Sequence, residues 1–460
     1  MSKSEIFPLT FVAPLYTGAT FNPINSSLIA TALVAIATYM KIPTAQATIL
    51  VTVFYLASTV AQPAAGKLSE LFGPRRIFIA GIILVLAGAL LGGAGVTMPM
   101  LVVSRVLIGL GASANYPAAM LLIRRRADSA GLTEPPSHVL GMLQIAGSVT
   151  GVVGLPLGGV LVGLWGWRVC FWINAPFTII AFLLALFWIP RDPPREKQSF
   201  SQIYAGMDGT GIIGFTAMMS AFLVFLFTLP RLSWVALVLT VALAAFLVWW
   251  ELRQATAFID VRLLATNIAL TRVYLRYAGL MLCVFTIIYG LTQWLEVAKG
   301  LDPSLTGLLV VPMSLVSTII AWFVSRSNMI RATLVIAVIF AVIASVGVFF
   351  LTTASPLVLV IAITVCFGVT MGTMAIGNQT ALYALVTTNQ IGTASGLFRT
   401  SGYIGTIASS AIINLVFAKG VSDGGLHTLG TIMVVICVVV LLLTLTDRWV
   451  MKSPKTSTGQ

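Results

Sequence analysis

The amino-acid sequence predicts an all-α, polytopic membrane protein with fourteen transmembrane helices, and three observations carry that expectation. Of its 460 residues, 58% are hydrophobic and only 8% charged, against about 25% charged in a soluble domain. Apolar stretches long enough to cross a hydrocarbon layer of roughly 30 Å, which takes about 20 helical residues, fill most of the chain. The basic residues collect in alternate connections between those stretches.

Charges and clusters of Pro, Gly and Asn punctuate the spans, which are read at 11–37, 46–65, 77–97, 99–122, 139–164, 169–189, 210–229, 232–250, 274–298, 304–325, 332–352, 357–383, 394–418 and 426–446. The stretch before the first span, Met1 to Leu9, is short and weakly charged, so no separable secretory signal is read there. An even count puts both termini on one side. Of the 26 Lys and Arg residues, Lys41, Arg168, Arg231, Lys299 and Lys419 fall on one side, Arg105 lies inside a span, and the others fall opposite. By the positive-inside rule the richer side, with both termini, is cytoplasmic. Twelve spans is the competing count.

Two segments break the run of helices, Arg191 to Met207 and Glu251 to Thr271, and isolate one hairpin between them. The expected domains are a six-helix bundle over 1–190, linkers with the inserted hairpin over 191–272, and a second six-helix bundle over 273–460. Gly66 to Arg76 aligns weakly with Ala321 to Arg331, each after the second span of its half, as parallel repeats would have it.

The formal charge of +13 sits in short connections, which points to anionic lipid headgroups and not to nucleic acid. Cys170, Cys283, Cys366 and Cys437 lie in separate apolar segments, and His138 and His427 are far apart, so neither a disulfide framework nor a metal site is suggested. No cofactor is expected, and no nucleophile–base group or phosphate loop suggests an enzyme.

Between the second and third spans stands Gly66-Lys67-Leu68-Ser69-Glu70-Leu71-Phe72-Gly73-Pro74-Arg75-Arg76. Its glycines permit a tight turn and close helix approach. Glu70 can pair with a basic group or sit at a helix N-terminus, and Arg75 and Arg76 hold the connection in the cytoplasm. The fourth span carries Leu101 to Ala112, an intramembrane Arg105 followed by a Gly-x-Gly run, and the fifth carries Gly151 to Gly159, with Gly154, Pro156, Gly158 and Gly159. These three motifs resemble signatures of the major facilitator superfamily: a gating latch, the superfamily's second motif and an antiporter-type motif. The resemblance implies the major facilitator fold, two six-helix bundles plus a central two-helix insertion. Asp208-x-x-Gly211, Trp294 to Gly300, Pro312 and Gly392 to Gly396 follow in order, and with the hairpin they are similar to the fourteen-span drug:proton antiporter branch. Glu70 stands where the family usually has Asp, Pro74 where it has a basic residue, and Leu155 where it has Pro.

That branch usually carries an Asp in the first span, at the position of Asn25. Asn cannot titrate, so the usual proton carrier and counter-charge for cations are both missing. Arg105 becomes the strongest charged candidate, since an intramembrane charge is normally aimed at a cavity or a partner; bonding to helix-end carbonyls is its structural alternative. Thr286, Tyr289, Gln293 and Glu296 recur at spacings of three and four, one helical face, and would bring an acid to the ninth span, though Glu296 also lies near the outer interface, where a solvated carboxylate needs no special role. Gly18, Asn22, Asn25 and Ser26 form a matching stripe, expected to line a pathway with Asn115, Tyr116, Gln144, Asn378 and Gln379; interhelical hydrogen bonds are the competing role. Arg399 reads as a snorkelling residue, and Trp165, Trp167 and Trp172 as belt anchors.

The expected function is a secondary exporter of amphiphilic small molecules or drugs in a bacterial inner membrane. It would work by alternating access, as a monomer, with protons as a further expected partner and membrane lipid around it. An uncoupled uniporter or metabolite permease, and a transporter-like sensor or assembly partner, are the competing readings.

Overall fold

The computed structural model describes residues 6–42, 47, 49–132, 135–193, 208–228, 233–254, 257–301, 303–326, 329–387, 390–418 and 420–447. Helices stand at every expected span: α1 Leu9–Met40, α2 Ile49–Phe72, α3 Pro74–Gly93, α4 Met98–Ser129, α5 Ser137–Trp165 and α6, made of Val169–Trp172 and Asn174–Trp188. The hairpin is α7 Gly209–Thr228 and α8 Trp234–Glu251. A short helix Val261–Thr266 leads to α9, which runs through Ile268–Thr286, a π turn Ile287–Leu291 and Thr292–Val297. Then come α10 Pro303–Val324, α11 Ile330–Phe349, α12 Leu357–Leu385, α13 Ile391–Val416 and α14 Asp423–Leu445. Among the described residues no strand occurs.

The count of apolar spans among the described residues comes close to the fourteen expected. Among the described residues, eleven helices are long and apolar enough to cross a membrane, or twelve if α1, bent by 42° between Ile29 and Thr31, counts as one. Two of the fourteen expected spans are not in that count. Helix α13 carries Arg399 and many Gly, Ser and Thr residues, which lower its hydropathy, and α5 includes residues outside those whose side chains are described.

Two compact units emerge, 1–219 with 243–261 and 386–400, and 220–242 with 262–385 and 401–460. In the first unit α2 packs on α4, α3 on α4 and α6, and α1 on α5. In the second, α10 packs on α12 and α11 on α12 and α14, while Gly405 of α13 lies against the Ala278 carbonyl of α9. Each second-unit pairing is a first-unit pairing displaced by eight helices, the pattern of a parallel repeat.

Small residues set these approaches, as is usual where lipid removes the hydrophobic drive between helices. A β-carbon added at Gly111 of α4 would stand 2.4 Å from the Gly81 carbonyl oxygen of α3. In α12, β-carbons at Gly368 and Gly372 would each stand 2.5 Å from a carbonyl oxygen of α10, those of Met313 and Ser317. The antiporter-type motif divides. Gly154 and Gly158 lie against Ser27 and Thr31 of α1, Gly159 meets nothing within 4 Å, and the Pro156 side chain lies outside the described residues.

Three local expectations change. The latch motif is mostly helix: α2 runs to Phe72, so only Gly73, at φ 99°, turns the chain before Pro74 opens α3. Helix α9 begins at Ile268, not 274, because the Asn267 side chain caps it by accepting from the Leu270 N–H at 3.1 Å. Trp165 and Trp172 are exposed, as belt residues would be, but Trp167 is buried against Tyr39 and Phe171.

Substituting Val for Gly111 forces two backbones apart, and a loss of about 1–3 kcal/mol is expected from such overpacking. Gly163, in α5, meets nothing within 4 Å, so Gly163→Ala leaves thermal stability in detergent unchanged or raises it by about 0.5–1 kcal/mol. Equal melting temperatures for the two variants would remove the close-approach argument.

Candidate functional site

The first unit's candidate polar residues fall into separate groups, and not into one cluster. Asn22 of α1 donates to Ser58 of α2 at 3.2 Å and to Ser113 of α4 at 3.0 Å. Asn25, three residues on, is buried and donates to Asn174 Oδ1 of α6 at 2.8 Å; Asn174 in turn donates to the Cys170 and Phe171 carbonyls at 3.1 and 3.3 Å. The residue at the usual acid's position is therefore a member of an interhelical amide chain. Ser26 is half-buried and turns back to the Pro23 carbonyl at 2.9 Å.

Asn115 is fully buried on α4, between Gly18 of α1 and Gly81 of α3, and both ends of its amide lack a hydrogen-bond partner. Its neighbour Tyr116 points elsewhere. The Arg399 guanidinium lies 3.8 Å over the Tyr116 ring and donates to Gln144 of α5 at 3.3 Å. Arg399 thus does not snorkel; it is half-buried, as a guanidinium stacked on an aromatic face can be. Thr400, next along, donates to the Thr59 carbonyl at 3.0 Å.

Arg105 is buried in another place. Its Nε donates to the Leu50 carbonyl, near the start of α2, at 3.1 Å, and its guanidinium lies 4.3 Å over Phe54. This is the helix-end contact named as its structural alternative, yet Nη2 has no partner. Along α4 it stands eight residues from Ser113, about 12 Å at 1.5 Å per residue, so it does not join the Asn22 group.

The latch motif is organised by carboxylates at helix starts, where backbone N–H groups and the helix dipole favour a negative charge. Glu70 accepts from the Thr393 N–H at 2.8 Å and from its hydroxyl at 3.1 Å, capping α13. Gly66 allows this: a β-carbon there would stand 2.2 Å from the Gly392 carbonyl oxygen. Asp192, which sequence reasoning passed over, caps α3 by accepting from the Arg75 N–H at 3.4 Å and the Arg76 N–H at 2.9 Å. The Arg75 side chain donates to the Leu186 carbonyl at 2.7 Å, and that of Arg76 to the Phe72 carbonyl at 3.4 Å.

In the second unit, Asn378 and Gln379 are fully buried in α12. Asn378 accepts from Arg276 Nε at 3.2 Å, and Arg276 pairs with Asp447 at 3.2 Å, also buried. Asp447, Asp208 and Glu251, interfacial acids by their place in the sequence, are all buried. The early cap at Asn267 was the available signal for Arg276, since it carries that residue two turns into α9. The expected α9 stripe breaks at the π turn, which adds a residue and rotates the rest of the helix by about 100°. Thr286 is buried, whereas Tyr289, Gln293 and Glu296 are exposed.

The sequence pattern of the Major Facilitator Superfamily matches residues 15–410. Similar proteins include YwoD, an uncharacterized MFS-type transporter of Bacillus subtilis, 32% identical over 94% of this chain and 95% of its own. Multidrug resistance protein Stp of Mycobacterium tuberculosis is 25% identical over 78% of this chain and 66% of its own. Among solved structures, the human organic anion transporter MFSD10 shares the fold with a TM-score of 0.66 at 14% identity, covering 95% of this chain and 99% of that one. Profile, relatives and fold agree, and the chain belongs to the Major Facilitator Superfamily as a multi-pass membrane transporter.

Proposed function

We propose that this protein is a secondary exporter of amphiphilic small molecules in a bacterial inner membrane, working by alternating access with both termini in the cytoplasm. Efflux is supported by the multidrug-resistance relative, and the orientation by the one-sided distribution of Lys and Arg. The proposed organisation is two six-helix bundles, 1–190 and 273–460, with the hairpin between them. In the cycle, the Glu70 bonds to Thr393 break and reform, since a carboxylate capping a helix start is an electrostatic clasp worth little enough to open.

One observation carries the cargo class: Arg399 stacked on Tyr116 and bonded to Gln144. We assign this group to the recognition of neutral, zwitterionic or anionic amphiphiles. The Tyr116 face receives an apolar body, while the guanidinium fork suits a carboxylate or phosphate. Asn25, held to Asn174, supplies none of the counter-charge that a carboxylate would offer a cation. The second unit's Tyr289, Gln293 and Gln379 are proposed as its own pathway residues. Proton coupling is the finer part of the proposal, with Arg105 and Glu296 as the charged residues to test.

In proteoliposomes, an anionic amphiphile should be carried in preference to a dication, and Arg399→Ala should slow its flux about tenfold or more, the loss of one charge-assisted hydrogen bond. Preferred carriage of dications, or an Arg399→Ala variant with unchanged anion flux, would overturn the assignment. Glu296 is exposed, so Glu296→Gln should hold pH-gradient-driven flux within about twofold, as surface substitutions do. A collapse of that flux would make Glu296 a proton carrier instead.

A further inference from the structure

The base of the α7–α8 hairpin holds two carboxyl groups that no transport role accounts for. Asp208 precedes α7 in the left-handed region, at φ 52°, a conformation that costs a non-glycine residue energy and persists only where its surroundings hold it. Its carboxylate supplies that hold. Oδ1 accepts from the Gly211 N–H at 3.0 Å and from Trp250 Nε1 at 2.8 Å, and Oδ2 accepts from the Phe258 N–H at 3.2 Å. Glu251 ends α8, and its Oε1 accepts from the Ile259 N–H at 3.2 Å. Asp208 is 4% and Glu251 2% exposed. The two carboxyls face each other across Gly211: a β-carbon there would stand 2.3 Å from Asp208 Oδ2 and 2.7 Å from Glu251 Oε1.

Their hydrogen bonding is unequal. Asp208 accepts from three N–H donors. Glu251 Oε1 accepts from the Ile259 N–H, and the carboxyl is within reach of the Phe258 N–H and of Asp208, while its buried Oε2 makes no bond of ordinary geometry. An oxygen that lacks a donor beside a second carboxyl group becomes satisfied when it carries a proton and donates it. Two buried carboxylates in contact cannot both be ionised cheaply. Among the described residues neither forms an ion pair with a basic side chain. The charged groups nearby are Lys67 of α2, whose Nζ donates to the Ala257 carbonyl at 3.4 Å, Arg253, stacked 4.0 Å over Trp249, and Asp260 and Arg262 in the following chain.

We propose that Asp208 and Glu251 form a proton-binding site, in which one proton on Glu251 Oε2 is donated to the Asp208 carboxylate and locks residues 257–259 to the base of the hairpin. Phe258 is fully buried against Phe215, 5.8 Å between ring centroids, and Lys67, within the latch motif, bonds the same segment. Loss of the proton sets two buried negative charges against each other, releases the Phe258 and Ile259 N–H groups, and frees Lys67. The ligand of the site is the proton itself, and the site stands apart from the Arg399 group assigned to cargo.

Trypsin reports the lock, because Arg253 and Arg262 flank the segment. With protease activity normalised on a small substrate at each pH, cleavage of the purified protein at these arginines should rise with pH by up to about tenfold per unit, the slope of a single proton. Glu251→Gln keeps the acceptor for Ile259 and a donor for Asp208, so it should resist cleavage at every pH. Infrared spectra supply the second measurement: a protonated-carboxyl band at neutral pH that fades on alkalinisation and is absent in Glu251→Gln. If that variant does not fold, Asp208→Asn replaces it and should leave the cleavage free of the wild-type pH dependence. A wild-type pH dependence in the variant, no protonated-carboxyl band in the wild type, or stoichiometric binding of calcium or magnesium alone that is lost in Glu251→Gln would each overturn the site.

Discussion

A polar group inside a hydrocarbon layer has no water to bond, so it must find its partner within the protein. The helices satisfy their own backbones, and the side chains obey the same constraint. Asn22 reaches two serines on two helices, Asn25 joins Asn174, and Arg105 and Arg276 each bond across to a neighbouring helix. Such bonds are individually modest, around 0.6 kcal/mol in transmembrane bundles, but they fix which face of each helix turns inward. The exceptions are correspondingly informative. Both ends of the Asn115 amide and Arg105 Nη2 lack partners.

Carboxylates at helix ends form a second layer of the same logic. Glu70 caps α13, Asp192 caps α3, and Asp208 caps α7 while holding the segment after α8. In the second unit Asp447, just beyond α14, neutralises Arg276 of α9, a buried pair that costs about 3–5 kcal/mol to break from one side. The caps are the weaker set, and they sit at the motif-bearing ends of the helices. Rigid packing through glycine seams and adjustable electrostatic contacts at the helix ends are compatible with the proposed alternating access.

Much of this was legible in the sequence because hydropathy and charge act one helix at a time. The position of each long helix, the small residues of the α1–α5 seam and the alternative of a helix N-terminus for Glu70 all come from local chemistry. The features that escaped depended on partners distant in the chain. Asp192 lies 116 residues from the Arg76 amide it accepts from, and nothing near Asp447 points to Arg276. Arg399 resembles any arginine near a helix end until Tyr116 and Gln144 are placed beside it. The π turn in α9 has no composition of its own, so a stripe counted at α-helical spacing runs through it unbroken. Span counting met a related limit in α13, whose polar residues are spent on contacts within the protein and lower the apolar signal.

In the proposed cycle, the Glu70 contact with Thr393 opens and closes with each turnover. Pulsed electron paramagnetic resonance tests it most directly, with nitroxides at Arg76→Cys and Gln390→Cys after Cys170, Cys283, Cys366 and Cys437 have been replaced. Two populated distances are expected, with a ratio that shifts when cargo is added and moves toward the longer one in Glu70→Ala. A single distance, unmoved by cargo or by Glu70→Ala in protein that still transports, would contradict it.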